Sequence, residues 1–184
     1  MIIGVIGQSG SGKDTISDYI VKTRPNFEKH FYAQPIKQIA QIFGFNAFGH
    51  QKEKNAKHPY WGISARTFMQ KFGTEICRTY LPKVMPNMVI KTSLWVDIME
   101  LKFKNNKSNI VVSDVRFPDD AALIRKYKGV LIKVVRPNLP SYKLDPNNKK
   151  HASETLIDDL KYDILIKNDG SLTKLYKTID QVLS

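Results

Sequence analysis

The 184-residue sequence predicts an α/β fold: a central five-stranded parallel sheet with helices on both faces. Two observations carry that expectation. Short apolar runs alternate with helix-spaced stretches, the pattern of parallel strands buried on both sides. The first such pair is joined by a glycine-rich loop, Gly7 to Thr15, reading GQSGSGKDT. No repeat and no long linker divides the chain, so one domain over residues 1–184 is expected.

The elements follow in order. Ile2 to Ile6 reads as a buried strand and Lys13 to Val21 as a helix. Phe27 to Ala33 is a second strand, after which Pro35 opens a helix through Phe43, because proline suits a first helical turn. Gly44 to Ser64 is rich in glycine, lysine and histidine, with few periodic apolar residues, and reads as a mobile insertion. Phe68, Phe72, Ile76 and Tyr80 recur at helical spacing within a helix from Ala65 to Tyr80. Pro82 and Pro86 separate it from an amphipathic stretch, Val89 to Phe103. Strands at Asn109 to Ser113 and Val130 to Val135 flank a helix at Asp119 to Tyr127. A basic, proline-containing loop follows from Arg136 to Lys150. Helix Ser153 to Leu160, strand Tyr162 to Ile166 and helix Leu172 to Leu183 finish the chain.

Composition narrows the function class. With 42% apolar and 25% charged residues, the chain is an ordinary globular one rather than a disordered or membrane-spanning one. Cys77 is the only cysteine, so no intramolecular disulfide forms and a reducing, cytoplasmic location is expected. No leader-like pattern stands at Met1, which runs straight into the first strand. The net charge of +12 implies anionic partners. The basic residues are dispersed, with no zinc-ligand spacing and no nucleic-acid recognition element. The charge does not by itself say which anions, and a solvated basic surface accounts for most of these residues; neither nucleic acid nor a membrane is the expected partner.

The glycine loop carries the chemistry. Gly7, Gly12 and Lys13 satisfy the G-x-x-x-x-G-K signature of a phosphate loop, with its strand before and its helix after. Glycines 7, 10 and 12 leave backbone amides exposed at a helix N-terminus, where the dipole also favours anions. Lys13 reaches the β- and γ-phosphates as a mobile charge. One position departs from the pattern: Asp14 stands where a Ser or Thr usually holds Mg2+, and Thr15 comes only after it.

Other residues suggest a second anion. Asp114 ends an apolar strand, and ligands of open α/β sheets bind beyond the carboxyl ends of strands. Arg116 follows two residues on; the bland alternative is an Asp–Arg pair capping the next helix. Arg66, Gln70 and Thr74 share one helical face at i, i+4 and i+8, opposite Phe68, Phe72 and Ile76, with Arg78 beyond. That face is equally readable as a solvated one. Lys37 lies just inside a helix start. Trp95, in an amphipathic stretch, is more often core than ligand stack. Ser153 and Glu154 are explained by a helix cap alone. The loop with Arg136, Lys143, Lys149 and Lys150 has the charge of a lid over 136–152, its alternative being a charged surface loop. In a P-loop kinase layout the turn Asn168 to Ser171 would lie near the purine of ATP.

The ordered set GQSGSGKDT, Phe31 to Lys37, Arg66…Gln70…Gly73-Thr74-Glu75…Arg78, Ser113-Asp114-Val115-Arg116-Phe117-Pro118 and His151-Ala152-Ser153-Glu154 resembles the deoxynucleoside monophosphate kinases of phages and large DNA viruses. The resemblance spans nearly the whole chain. It implies a P-loop kinase three-layer sandwich with a small helical acceptor-binding region over 35–108 and a lid loop. It also implies ATP with Mg2+ as donor and a deoxynucleoside 5′-monophosphate as acceptor. Asp14 then ceases to be irregular, since a GKD loop is normal for this group and for the similar animal-type phosphomevalonate kinases. Carried over by position, Gly10, Ser11, Gly12, Lys13, Asp14, Thr15 and Arg136 would bind ATP, with Asp14 and Thr15 organising the metal. Lys37, Arg66, Gln70, Arg78, Asp114, Arg116 and Glu154 would surround the acceptor, with Trp95 packing on its base. Lys13, Arg66, Arg116 and Asp114 would serve the transfer itself.

Two rivals remain open at the level of sequence. One is another small-acceptor kinase, of phosphomevalonate or dephospho-CoA type. The other is a basic nucleic-acid-binding NTPase, which would show DNA-stimulated, salt-sensitive turnover. A homodimer is the expected assembly if any forms.

Overall fold

Segments Ile2–Ile6 (β1), Phe27–His30 (β2), Asn109–Val115 (β3), Val130–Val135 (β4) and Ile164–Lys167 (β5) pair in the order β2-β3-β1-β4-β5, every pair parallel. The computed structural model describes residues 1–137 and 156–183. Two units emerge: Met1–Phe31 with Lys102–Ser184, which holds the sheet, and Tyr32–Leu101, which lies between β2 and β3 in the chain. The region expected to be helical over 35–108 overlaps the second.

In the first unit β1 is central. After β2 and β3 the chain crosses over β1 to reach β4, so the strand order reverses at the carboxyl end of β1. Crevices form at such switch points. The sheet is covered on both faces. Helix α1 (Lys13–Thr23) packs on β1, β2 and β3 and against the last helix, Leu172–Val182. There the rings of Tyr19 and Tyr176 stack 4.1 Å apart. Ile3, Val5, Ile16, Ile20, Val134, Ile166 and Ile179 form one buried cluster on this side. Helix Pro118–Lys126 packs on β1 and β4. A bulge interrupts β3: between the pairs Gly4↔Val112 and Ile6↔Val115, β1 contributes one residue and β3 two, Ser113 and Asp114. Such bulges bend a strand and re-aim its side chains.

The second unit holds α2 (Gln34–Ile42), α3 (Gln51–Asn55), α4 (Ala65–Gln70), a ten-residue π-helix (Lys71–Tyr80) and α5 (Leu81–Val84). Helix α6 (Leu94–Asn105) begins in this unit and ends in the other. Numbered on from there, Pro118–Lys126 is α7 and Leu172–Val182 is α8. Ala40, Phe45, Ala47 and Ala65 form one buried cluster with Phe68 and Met69 against it. Ile36, Cys77 and Trp95 form another, with Phe72 and Ile98 among its neighbours.

Three expectations are corrected here. The segment 44–64 is structured: it supplies Phe45 and Ala47 to the core, forms α3, and closes on a bridge between Lys57 and Ser64. Its few apolar residues are enough because they insert singly between helices. The helix from Ala65 is α only to Gln70 and π beyond. Ile76, placed on the apolar face by α periodicity, is 49% exposed, whereas Gly73 and Cys77 are buried. In a π-helix each N–H bonds five residues back, so the turn is wider, each residue advances by a smaller angle than in an α-helix, and the buried face drifts away from the positions α periodicity assigns. Thirdly, β2 stops at His30 rather than Ala33; Tyr32 is already buried in the second unit. Of the expected helix Ser153 to Leu160, residues 153–155 lie outside the described residues, and 156–159 form a turn.

Candidate functional site

The glycine loop stands at the switch point, between β1 and α1. Gly10 and Gly12 have φ of 83° and 102°, a left-handed conformation that side chains resist. The loop is closed by the Ser11 N–H donating to the Gln8 carbonyl at 3.1 Å. Gly12 is the N-cap of α1 and offers no capping side chain, so the first-turn amides are left without a side-chain cap, as an anion site at a helix N-terminus requires. Ser11 and Lys13 are 1% and 7% exposed, and the buried Ser11 hydroxyl has no hydrogen-bond partner among the described residues. A cradle with donors and an orphaned hydroxyl is chemically suited to phosphate oxygens. Asn168, just past β5, donates from Nδ2 to the Ser11 carbonyl at 2.9 Å.

Asp14 sits in a ring of cations. Its carboxylate lies 3.7 Å from Lys13 Nζ and 3.3 Å from Lys29 Nζ, and accepts from the Ser113 hydroxyl at 3.2 Å. Burial by itself pushes this carboxyl up. Lys13, Lys29 and the hydrogen bonds from Lys29 and Ser113 outweigh that effect and hold it below the usual aspartate range. Asp14 therefore stays ionised at neutral pH. Lys29 is also paired to Asp18 at 2.8 Å. The bulge that offsets Ser113 and Asp114 is what brings a hydroxyl from β3 to α1.

Asp114 is 8% exposed at the end of β3. Arg116 follows the strand and is half-buried. The helix cap that stood as the alternative role for Asp114 and Arg116 is made instead by Asp120, whose Oδ2 accepts from the Arg116 and Phe117 amides at 3.0 Å each. Arg136 is exposed one residue beyond β4. Lys143, Lys149, Lys150, His151 and Glu154, and all but the first two residues of the expected lid 136–152, lie outside the described residues.

In the second unit, Arg66 and Gln70 lie on α4, and Thr74 and Arg78 on the π-helix; all four are half-buried. At 100° per residue Arg78 would stand about 120° round the helix from Arg66. The wider π turn returns it to the same stripe. The Arg66 Nε donates to Asn55 Oδ1 of α3 at 2.7 Å. Lys37, on α2, lies over the Phe48 ring at 5.4 Å. Trp95 is core: it is 7% exposed and its indole N–H donates to the Gly73 carbonyl at 2.8 Å. That packing, rather than a base stack, accounts for it.

Sequence reading missed Lys29, Asn55 and Asp120, and named Asn168 only as part of a turn near the purine, not as a partner of the glycine loop. Only Asp120 had a local signal, an acid three residues into a helix that starts with proline. The others meet partners far along the chain.

A parallel sheet whose central strand runs through G-x-x-x-x-G-K into a helix defines a P-loop nucleotide-binding protein. Residues 40–179 match the model of the deoxynucleotide monophosphate kinase family. A protein of Acanthamoeba polyphaga mimivirus, described as "Putative deoxynucleotide monophosphate kinase", is 31% identical over 190 residues, covering 97% of this chain and 94% of that protein. The chain belongs to the deoxynucleotide monophosphate kinase family, and is thus a nucleotide kinase, a phosphotransferase. Among solved structures, the Deinococcus radiodurans tunicamycin resistance protein matches at TM-score 0.48 and 12% identity, covering all of this chain and 95% of that one. Shikimate kinase from Acinetobacter baumannii matches at 0.48 and 14%, covering 99% and 92%. These likenesses are too distant to bear on function. Among the described residues no helix is long and apolar enough to cross a membrane.

Proposed function

We propose that this chain transfers the γ-phosphoryl group of ATP to a deoxynucleoside 5′-monophosphate, releasing ADP and the deoxynucleoside diphosphate. The observation that carries the reading is the uncapped glycine cradle with buried Lys13 at the carboxyl end of β1. An oxygen of the acceptor phosphate attacks the γ-phosphorus as the bond to the β–γ bridging oxygen breaks. That acceptor needs no general base, because a phosphomonoester with a second pKa of about 6 is already largely dianionic at neutral pH. Catalysis then rests on in-line positioning and on neutralising charge.

The roles divide by unit. In the first, Gly10, Ser11, Gly12, Lys13, Thr15 and Arg136 are assigned to the donor phosphates, and Asp114 and Arg116 to the transferring group. In the second, Lys37, Arg66, Gln70 and Arg78 bind the acceptor. The residues present fit a magnesium ion, which takes one or two carboxylates and hydroxyls alongside phosphate oxygens rather than a full protein cage. Asp14, held ionised beside the Ser113 hydroxyl, and Thr15 are the donors we assign to it. When bound, Mg2+ supplies further neutralisation of the donor phosphates. Small nucleotides are the partners, in the cytoplasm, where the single buried Cys77 stays reduced. The exposed run Tyr80, Val84, Met85, Met88 and Val89 supports a homodimer, which light scattering would read.

The test is an acceptor screen with ATP and Mg2+, reading ADP release for the four deoxynucleoside monophosphates, the ribonucleoside monophosphates and mevalonate phosphate. Turnover is expected with at least one deoxynucleoside monophosphate. Failure with all four would overturn the reading.

A further inference from the structure

We propose that Asn168 is a positioning residue that sets the glycine loop for the donor nucleotide; this rests on the assignment of that loop to ATP. The contact is specific in its chemistry. Asn168 Nδ2 donates to the Ser11 carbonyl at 2.9 Å, and only the amide nitrogen, not Oδ1, can face a carbonyl oxygen. In a trans peptide the C=O of one residue and the N–H of the next point in opposite directions. Holding the Ser11 carbonyl toward Asn168 therefore turns the Gly12 N–H away from it, toward the phosphate side of the loop.

Two further observations show that the pair is built rather than incidental. Asn168 is fixed through its main chain, because its N–H donates to the Val135 carbonyl at 2.8 Å and so extends the β4–β5 pairing by one residue. The Ser171 side chain then caps α8 by accepting from the Lys174 N–H at 3.3 Å, which anchors the turn from its other end. On the loop side, a Cβ on Gly12 would stand 2.4 Å from Asn168 Nδ2. A side chain at Gly12 would be strained by the φ of 102° and would displace this amide from the loop. The partners are 157 residues apart, and the contact ties the end of β5 to the loop after β1. A flexible glycine loop loses entropy when it closes on phosphates. An anchor already holding one of its peptides reduces that loss and favours the bound geometry.

The test compares the full chain with Asn168→Ala and Asn168→Asp. ADP binding is read by calorimetry, and kcat with donor and acceptor KM by ADP release. Asn168→Ala should weaken ADP binding and raise the donor KM by roughly five- to tenfold, the value of one neutral hydrogen bond. Acceptor KM should stay unchanged, and the melting temperature should fall by no more than about 2–4 °C, the scale of one lost hydrogen bond in a chain of this size. Asn168→Asp keeps the shape but sets a carboxylate oxygen against the Ser11 carbonyl. It should bind ADP more weakly than Asn168→Ala, and recover relative to wild type as pH falls and the carboxyl gains a proton to donate. ADP binding within about twofold of wild type in both variants overturns the proposal. So does normal binding by Asn168→Asp alone, since shape would then suffice. A wild-type chain that binds ADP yet phosphorylates no deoxynucleoside monophosphate sinks the acceptor reading instead, and the calorimetric comparison still decides the role of Asn168.

Discussion

Lys13 shows how one residue is both conspicuous in sequence and dependent on its surroundings. Its position after Gly12 marks it as the phosphate lysine, but its 7% exposure and its place 3.7 Å from Asp14 come from packing. Lys13→Ala should lower kcat by at least about 10²-fold, the scale of losing one charge-stabilising group, with an unchanged circular dichroism spectrum. Undiminished turnover would remove Lys13 from the chemistry. Asp163 gives a residue-scale prediction for stability. Arg125 Nη1 reaches both its oxygens at 2.6 Å, and the Leu131 amide donates to it at 2.8 Å. Burial pushes this carboxyl up, but the amide and the guanidinium outweigh it and the net shift is downward. A carboxyl depressed in the folded state stabilises the protein above its unfolded value, about 3.9, and loses that contribution as pH falls through the lower folded value. Asp163→Asn should therefore be less stable than wild type near neutral pH. In urea unfolding the two midpoints should converge below about pH 4. A gap independent of pH would contradict this.

At the scale of elements, the turn from β3 into α7 depends on Asp120. Asp120 is 1% exposed, and its carboxylate accepts from two backbone amides. Asp120→Ala should cost about 1–3 kcal/mol in urea unfolding, since it leaves those donors without the carboxylate. Because Arg116 owns one of the amides, its placement should suffer as well. The element that sequence misjudged most is the helix from Ala65. Its residues were correctly assigned to a helix, but the turn width was not legible. A buried set at Ala65, Gly73 and Cys77 and a polar stripe at Arg66, Gln70, Thr74 and Arg78 are both spaced by fours or eights. Over one or two turns that spacing is indistinguishable from α periodicity. Only the bonding of Trp95 to the Gly73 carbonyl and the packing of Cys77 with Ile36 show which register holds.

The molecule as a whole carries a net charge of +12, and the nucleotide substrates of its family are anions. Its field should raise nucleotide association, and raising ionic strength from about 0.01 to 0.15 M, where the Debye length falls from about 30 to 8 Å, should raise both KM values more than it changes kcat. A KM insensitive to salt would confine the useful charge to groups in direct contact with phosphate. The sequence by itself determined the α/β class, the parallel alternation, the glycine loop and the family. These rest on local patterns: a nine-residue motif, a strand period, a helix period. What surrounds that loop was decided only by tertiary structure. Lys29 and Ser113 against Asp14 and Asn168 on Ser11 join residues separated by 15 to 157 positions. No local pattern encodes such pairs, because they exist only once strand order, a bulge in β3 and the packing of helices have brought distant side chains within hydrogen-bond reach.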